Sequence, residues 1–243
     1  DAMFFQRVRF TPPAAVTLVE LEQKFRQVAE ELGLRYQFCS MQSRPRTAIL
    51  VSKPLHCLVD LLGRVQLGDL AIDVQAVVSN HRDAEQVASM HGHRFEYLPV
   101  AQGTTGRADQ EARLSALLDS LSVDLVVLAR YMLVLPPALV QRWSGRMINI
   151  HHSFLPSFVG ANPYRQAHDR GVKIIGATAH YVSEVLDEGP IIAQGVAPVS
   201  HRDDVEVLTR RGRDLETTVL SQAVRAHIEH RVLVFGNRTV VFD

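Results

Sequence analysis

Between residues 47 and 151, short apolar runs alternate with longer stretches of helical periodicity, and this alternation narrows the possible folds more than any other feature. The runs at 48–51, 74–78, 95–100 and 125–129 are rich in Val, Ile, Leu and Phe. Runs as continuous as 48–51 and 125–129 mark strands buried on both faces, because helices cover each side of the sheet. Helices are expected at 55–67, 83–91 and 109–121. In the last of these, Ala112, Leu114, Leu117, Leu118 and Leu121 recur at helical steps, after a loop at 101–106. Further strands are expected at 176–182 and 191–194. A final charged helix is entered near His201 with Asp203 or Asp204 as its cap, and 202–213 is its solvated face. A rhythm of this kind predicts an α/β fold around a mostly parallel sheet.

The first 43 residues read differently. Strand formers occupy 4–10, Thr11-Pro12-Pro13 punctuates them, an amphipathic helix is expected over 16–32, and Gly33 stops it before a second strand at 34–38. So short a unit buries too little core to stand alone. Arg44-Pro45-Arg46 marks the boundary. Residue 1 is Asp and the nearest Met is Met3, so the first residues of the gene product are expected to be missing.

Charge and cysteine content remove several classes. With 26 Lys+Arg against 26 Asp+Glu, the chain lacks the basic surplus that nucleic acid or anionic lipid demands. Cys39 and Cys57 are too few for a disulfide framework or a four-thiolate zinc site. The longest apolar candidate for a membrane span, 125–135, is broken by Arg130, and with no basic-then-apolar start in the sequence a signal peptide is not expected. A cytoplasmic protein is expected.

Two dense segments carry the chemistry. In 147–160, an apolar strand holds Asn149 and His151 two residues apart, so both side chains leave one face while Ile148 and Ile150 point into the core. An amide beside an imidazole at a strand end offers a donor to an oxyanion and an acid/base near neutrality. In 176–190, a strand through His180 runs into an acidic loop that ends in Asp187, and Gly189-Pro190 opens the next strand. A lone strand histidine is more often packed than catalytic, and His152 is read that way. His151, His152, His180 and Asp187 are all ligand types. Neighbouring strand residues face opposite ways, however, so no metal or other cofactor is expected.

Asn-Ile-His followed by Ser-Phe-Leu-Pro, with His-Tyr-Val and then Leu-Asp-Glu-Gly-Pro-Ile-Ile, resembles the folate-dependent formyltransferase and formyl-hydrolase superfamily. The likeness covers 46–243 and includes the closing Gly236-Asn237-Arg238-Thr239. It implies a Rossmann-like formyltransferase fold for 46–243. Over 1–43 it implies a partial ACT-like α+β domain, of which only the second half is matched, serving as a homo-oligomer contact. The implied activity is hydrolysis of 10-formyltetrahydrofolate to tetrahydrofolate and formate, which feeds one-carbon and purine metabolism. The implied catalytic set is Asn149, His151 and Asp187, with His180 in support. The implied pterin site is Arg130, Tyr131, Met132, Leu133, Val134 and Leu135, at the carboxyl end of the strand 125–129, where ligands collect in open α/β sheets. Ser183, Glu184, Val185 and Leu186 would close its other side. The chain departs from the family pattern at Leu133, Asn162 and Arg165, where the expectation is Arg, often Arg, and His.

The acceptor is argued from something missing. Relatives that formylate a phosphorylated glycinamide hold its phosphate on a Gly-rich loop after the first strand. Here 51–57 contains no glycine, Pro54 removes a donor, and Lys53 remains as a point charge. Water is therefore the expected acceptor. Two other readings stay open: formyl transfer to an amine, and a catalytically idle folate- or amino-acid-binding protein.

Overall fold

The alternating segments fold as a doubly wound sheet in a computed structural model that describes residues 3–13, 15–100, 104–156 and 163–243. Helix α1 (Leu18–Glu31) precedes it. The sheet-forming chain then runs β1 (Arg46–Val51), α2 (His56–Gln66), β2 (Asp73–Ser79), α3 (Glu85–Met90), β3 (Phe95–Tyr97), α4 (Thr104–Ser120), β4 (Leu125–Leu128), α5 (Pro137–Arg142) and β5 (Met147–His151). It continues through α6 (Pro163–Asp169), β6 (Ile174–Tyr181), β7 (Ile191–Pro198) and α7 (Val205–Ile228). A hairpin of β8 (Val232–Phe235) and β9 (Arg238–Val241) follows.

Seven strands form one sheet in the order β3-β2-β1-β4-β5-β6-β7. The pairings among β1 to β5 are parallel, and β6 and β7 add antiparallel. Ile49, Val51 and Val127 face a core under α2 and α7, while Ala48, Leu50 and Val126 face a second core under α4 and Trp143. This two-sided burial is why their sequence is so evenly apolar. The chain winds outward from β1 to β3, then crosses back to place β4 on the other side of β1. The loops after β1 and β4 therefore diverge and open a crevice at their carboxyl ends.

Several expected elements are corrected. Helix α4 starts at Thr104, inside the stretch read as a loop, of which 101–103 lie outside the described residues. Strand β3 ends at Tyr97 because it pairs only with β2, whose register stops at Ser79 opposite Tyr97. The stretches 4–10 and 34–38 form no strand, since neither finds a backbone ladder among the described residues. Instead, Phe10, Phe25, Tyr36 and Phe38 meet edge to face around α1. Arg7 ties this region to the body by donating to the carbonyls of Glu229 and His230. The β8–β9 hairpin was not anticipated, although Gly236-Asn237 between two apolar runs is a recognised hairpin signal. Asp204 caps α7 by accepting from the Val207 N–H, as expected. No helix among the described residues is long and apolar enough to cross a membrane.

Candidate active site

The crevice is a cavity of about 740 Å³, within the usual range for small-molecule sites. Ser52, the residue after β1, shapes one rim. Its N–H donates to the Arg130 carbonyl at 3.1 Å. Its hydroxyl donates to Asn80 Oδ1 at 2.7 Å and accepts from the Met132 N–H at 3.0 Å. Sequence reasoning did not identify Ser52. Arg130 adopts a left-handed φ of 66°, a conformation costly to a residue with a Cβ and often found at ligand sites.

All six residues from Arg130 to Leu135 line the cavity, but unequally. Tyr131 and Leu135 are buried in the core, and the Tyr131 hydroxyl accepts from Gln110 Nε2 at 2.8 Å. Met132 and Val134 remain more than half exposed, apolar surface available to a ligand. Ser183, Glu184 and Leu186 line the opposite side. Val185 stands outside the lining, its carbonyl accepting from the Ser183 hydroxyl at 2.8 Å. Leu133 and Arg165 also face the cavity, and Asn162 lies outside the described residues.

Asn149, His151, His180 and Asp187 meet on one wall. The antiparallel register of β5 and β6 sets Asn149 opposite His180. Asp187 occupies a left-handed turn, φ 58°, in the loop that follows β6. His151 Nδ1 lies 3.2 Å from Asp187 Oδ2, and His180 Nε2 lies 3.7 Å from Oδ1. Burial raises the Asp187 carboxyl pKa, but hydrogen bonds from His151 and then His180 outweigh it and hold the group well below the usual carboxylate range. His180 Nδ1 is 2.9 Å from the Tyr181 carbonyl, which can only accept, so that nitrogen carries a proton. Its Nε2 therefore faces both Asp187 and the Asn149 amide, 3.3 Å away. His151 Nε2 is buried and has no partner among the described residues. An amide, an imidazole edge and a carboxylate thus converge on one space.

Asn237, at the hairpin tip, supports the Asp187 loop by donating to the Glu188 carbonyl at 2.9 Å. It belonged to the closing run that carried the family resemblance, yet nothing local indicated this contact.

His152 overturns one expectation. Strand β5 ends at His151, so the alternation of faces stops there and His152 turns back into the same cavity. Its ring centroid lies 5.1 Å from that of His151. The compact set of ligand-type residues among the described residues is instead His56, Cys57 and Glu216. Burial holds the Cys57 thiol protonated, and Arg130 already matches Glu216, so this set acts as a polar cluster.

Two histidines make the fold acid-sensitive. Burial, then the charges of Arg130 and His151, lower the His152 pKa to about 4. Burial and then His230 lower that of His227 to about 4. In the unfolded chain both groups take up a proton near 6.5. Between those values the unfolded state binds more protons, so their contribution to stability is complete above the upper value and falls toward the lower one. Urea unfolding at stepped pH should show each residue adding up to about 1.4 kcal/mol per pH unit in that window. Changing His152 or His227 to Gln should flatten the slope, and unchanged slopes would contradict the assignment.

Comparison with known proteins adds an independent line. The family described as formyl transferase matches residues 45–224. The formyltetrahydrofolate deformylase of Synechocystis sp. is 50% identical over 223 residues, 92% of this chain and 78% of that protein. The crystal structure of a formyltetrahydrofolate deformylase from Pseudomonas syringae pv. tomato is 45% identical with a TM-score of 0.90, covering 94% of this chain and 76% of that one. A glycinamide ribonucleotide transformylase from Symbiobacterium toebii is 31% identical with a TM-score of 0.77, covering 87% of this chain and 99% of that one.

Proposed function

This chain belongs to the formyl transferase family, among its formyltetrahydrofolate deformylases, and from that premise we propose that it hydrolyses 10-formyltetrahydrofolate through Asn149, His151 and Asp187. The observation that carries this reading is the pairing of His151 Nδ1 with Asp187 on a cavity wall that His151 and Asn149 line together.

In this mechanism the pterin lies between the Arg130–Leu135 rim and the loop before Asp187, and the formyl group reaches Asn149 and His151. Asp187 orients the attacking water and takes its proton. The water oxygen bonds to the formyl carbon, and the Asn149 N–H and the protonated His151 edge stabilise the oxyanion. One such donor is typically worth about 2.7–4 kcal/mol of barrier. The C–N10 bond then breaks, N10 takes a proton relayed from His151, and tetrahydrofolate and formate leave. His180 is a positioning residue that holds Asp187 and Asn149 together. No metal or other cofactor enters this scheme, and both Asp187 oxygens already face imidazoles.

The same reading makes 1–43 half of an ACT-like module that joins copies of the chain. Exposed Phe4, Phe10, Val28 and Leu34 support a contact there. It also places the enzyme in the cytoplasm, supplying formate to purine synthesis.

Water as acceptor is supported by the loop after β1. The Ser52 N–H is already spent on Arg130, and Pro54 has none to offer an acceptor phosphate. Incubation with 10-formyltetrahydrofolate should release formate and tetrahydrofolate in equal amounts, unchanged by added glycinamide ribonucleotide. Accumulation of formylated amine, or binding without turnover, would overturn the proposal.

A further inference from the structure

The cavity wall on the β1 side contains a buried ionic cluster of which the mechanism above uses only Arg130. Glu216 on α7 is 1% exposed. It lies 2.7 Å from His56 Nε2 and accepts the Tyr164 hydroxyl at 2.5 Å. Arg130 Nε, 3.3 Å away, adds its charge without an aligned hydrogen bond. The three partners come from the first residue of α2, from α6 and from the loop after β4, so the carboxylate fastens separate elements together. Burial raises the Glu216 pKa, but the His56 hydrogen bond and the Arg130 charge outweigh it, and the group stays ionised.

Gly212, one turn earlier on α7, makes this arrangement possible. A Cβ there would come within 2.1–2.3 Å of the Tyr164 ring and hydroxyl. His152 links the cluster to the catalytic imidazole, its ring 6.4 Å from Tyr164 and 5.1 Å from His151.

The cluster's position suggests its role. A helix start after the first strand is where an anionic acceptor finds free N–H groups. Here that turn presents His56 to a buried carboxylate instead. We propose that Glu216, with His56, Tyr164 and His152, closes the acceptor side of the formyl site, so that water reaches the formyl carbon and amine nucleophiles, small ones included, do not. This rests on the formyl-folate hydrolase reading and adds the basis of its acceptor selectivity. On this proposal an amine must part the cluster to enter, which would leave a buried carboxylate unmatched, whereas water needs no such opening. Rejection of a wrong nucleophile by an obstructing element is a recognised route to specificity.

Hydroxylamine is a suitable probe. Its nitrogen attacks the formyl carbon, the C–N10 bond breaks, and N10 takes the proton the nucleophile loses, giving N-formylhydroxylamine and tetrahydrofolate. The readout is the ratio of N-formylhydroxylamine to formate. In the unaltered enzyme it should lie at least about tenfold below the ratio for the uncatalysed reaction. His56→Ala combined with Tyr164→Phe should raise it about tenfold toward the solution value, with tetrahydrofolate release as the denominator. Tyr164→Phe alone keeps the ring in place and should give a smaller rise. An unaltered enzyme that already shows the solution ratio, or variants that turn over at an unchanged ratio, would overturn the closure. Failure of the hydrolase reading is distinct, because the unaltered enzyme would then consume no formyl-folate.

Discussion

Asp187→Asn is expected to fold normally and to lose about 10³-fold or more in turnover, with a much smaller change in KM. The two side chains are nearly isosteric, so the loop should keep its course. The charge is lost, however, and one of the two oxygens that face His151 and His180 becomes a donating NH₂. An amide that donates where the carboxylate accepted favours the wrong imidazole tautomer, which is costly wherever an acid orients a catalytic histidine. It also cannot take a proton from water. Steady-state formate release measures the effect, and near-normal kcat would contradict the role given to Asp187. Stability gives a second readout. The Asp187 pKa is depressed in the folded chain, so its stabilisation is present above the ordinary carboxyl value of 3.8 and is lost as pH falls through the folded value. The stability gap between parent and variant should therefore narrow in acid.

Gly189→Ala should damage the enzyme from two residues away. A Cβ at 189 would lie 1.7 Å from the Tyr181 carbonyl oxygen and 3.3 Å from His180 Nδ1. The first contact is with backbone, so no rotamer change relieves it. The loop must lift from β6, which strains the bond from the Tyr181 N–H to the Pro190 carbonyl, now 2.9 Å. Asp187 then moves away from His151. A misplacement of about 1 Å at a catalytic group costs roughly 10²-fold in rate. Overpacking of this kind typically removes about 1–3 kcal/mol of stability. Formate kinetics should show lower kcat and higher KM together, because the same loop lines the pterin side. Denaturant unfolding should show the destabilisation. Parent-like kinetics in a folded Gly189→Ala would mean that the packing of this loop does not place the carboxylate.

The parts of the fold that were legible share a physical cause. β1 and β4 stood out because strands buried on both faces must be apolar throughout, and the helix caps and periods followed local rules. Asn149 and His151 were assigned to one face by the two-residue period alone, and Ile148 and Ile150 do lie in the core behind them. The same period failed one residue later, because the strand ends and His152 no longer alternates. Strands were also expected at 4–10 and 34–38, where β propensity was present but a pairing partner was not.

By itself, then, the sequence determined the layered α/β class, the strand that presents an amide beside an imidazole, and through its resemblance the carboxylate that joins them. Only the tertiary structure decided that His180 faces Asn149, that Ser52 and Asn237 support the two rims, and that Glu216 gathers His56 and Tyr164 at the third side. Periodicity reports the burial a residue experiences along its own segment. A hydrogen bond that spans 160 positions, as between His56 and Glu216, leaves no mark on that local pattern and exists only once the sheet has brought its loops together.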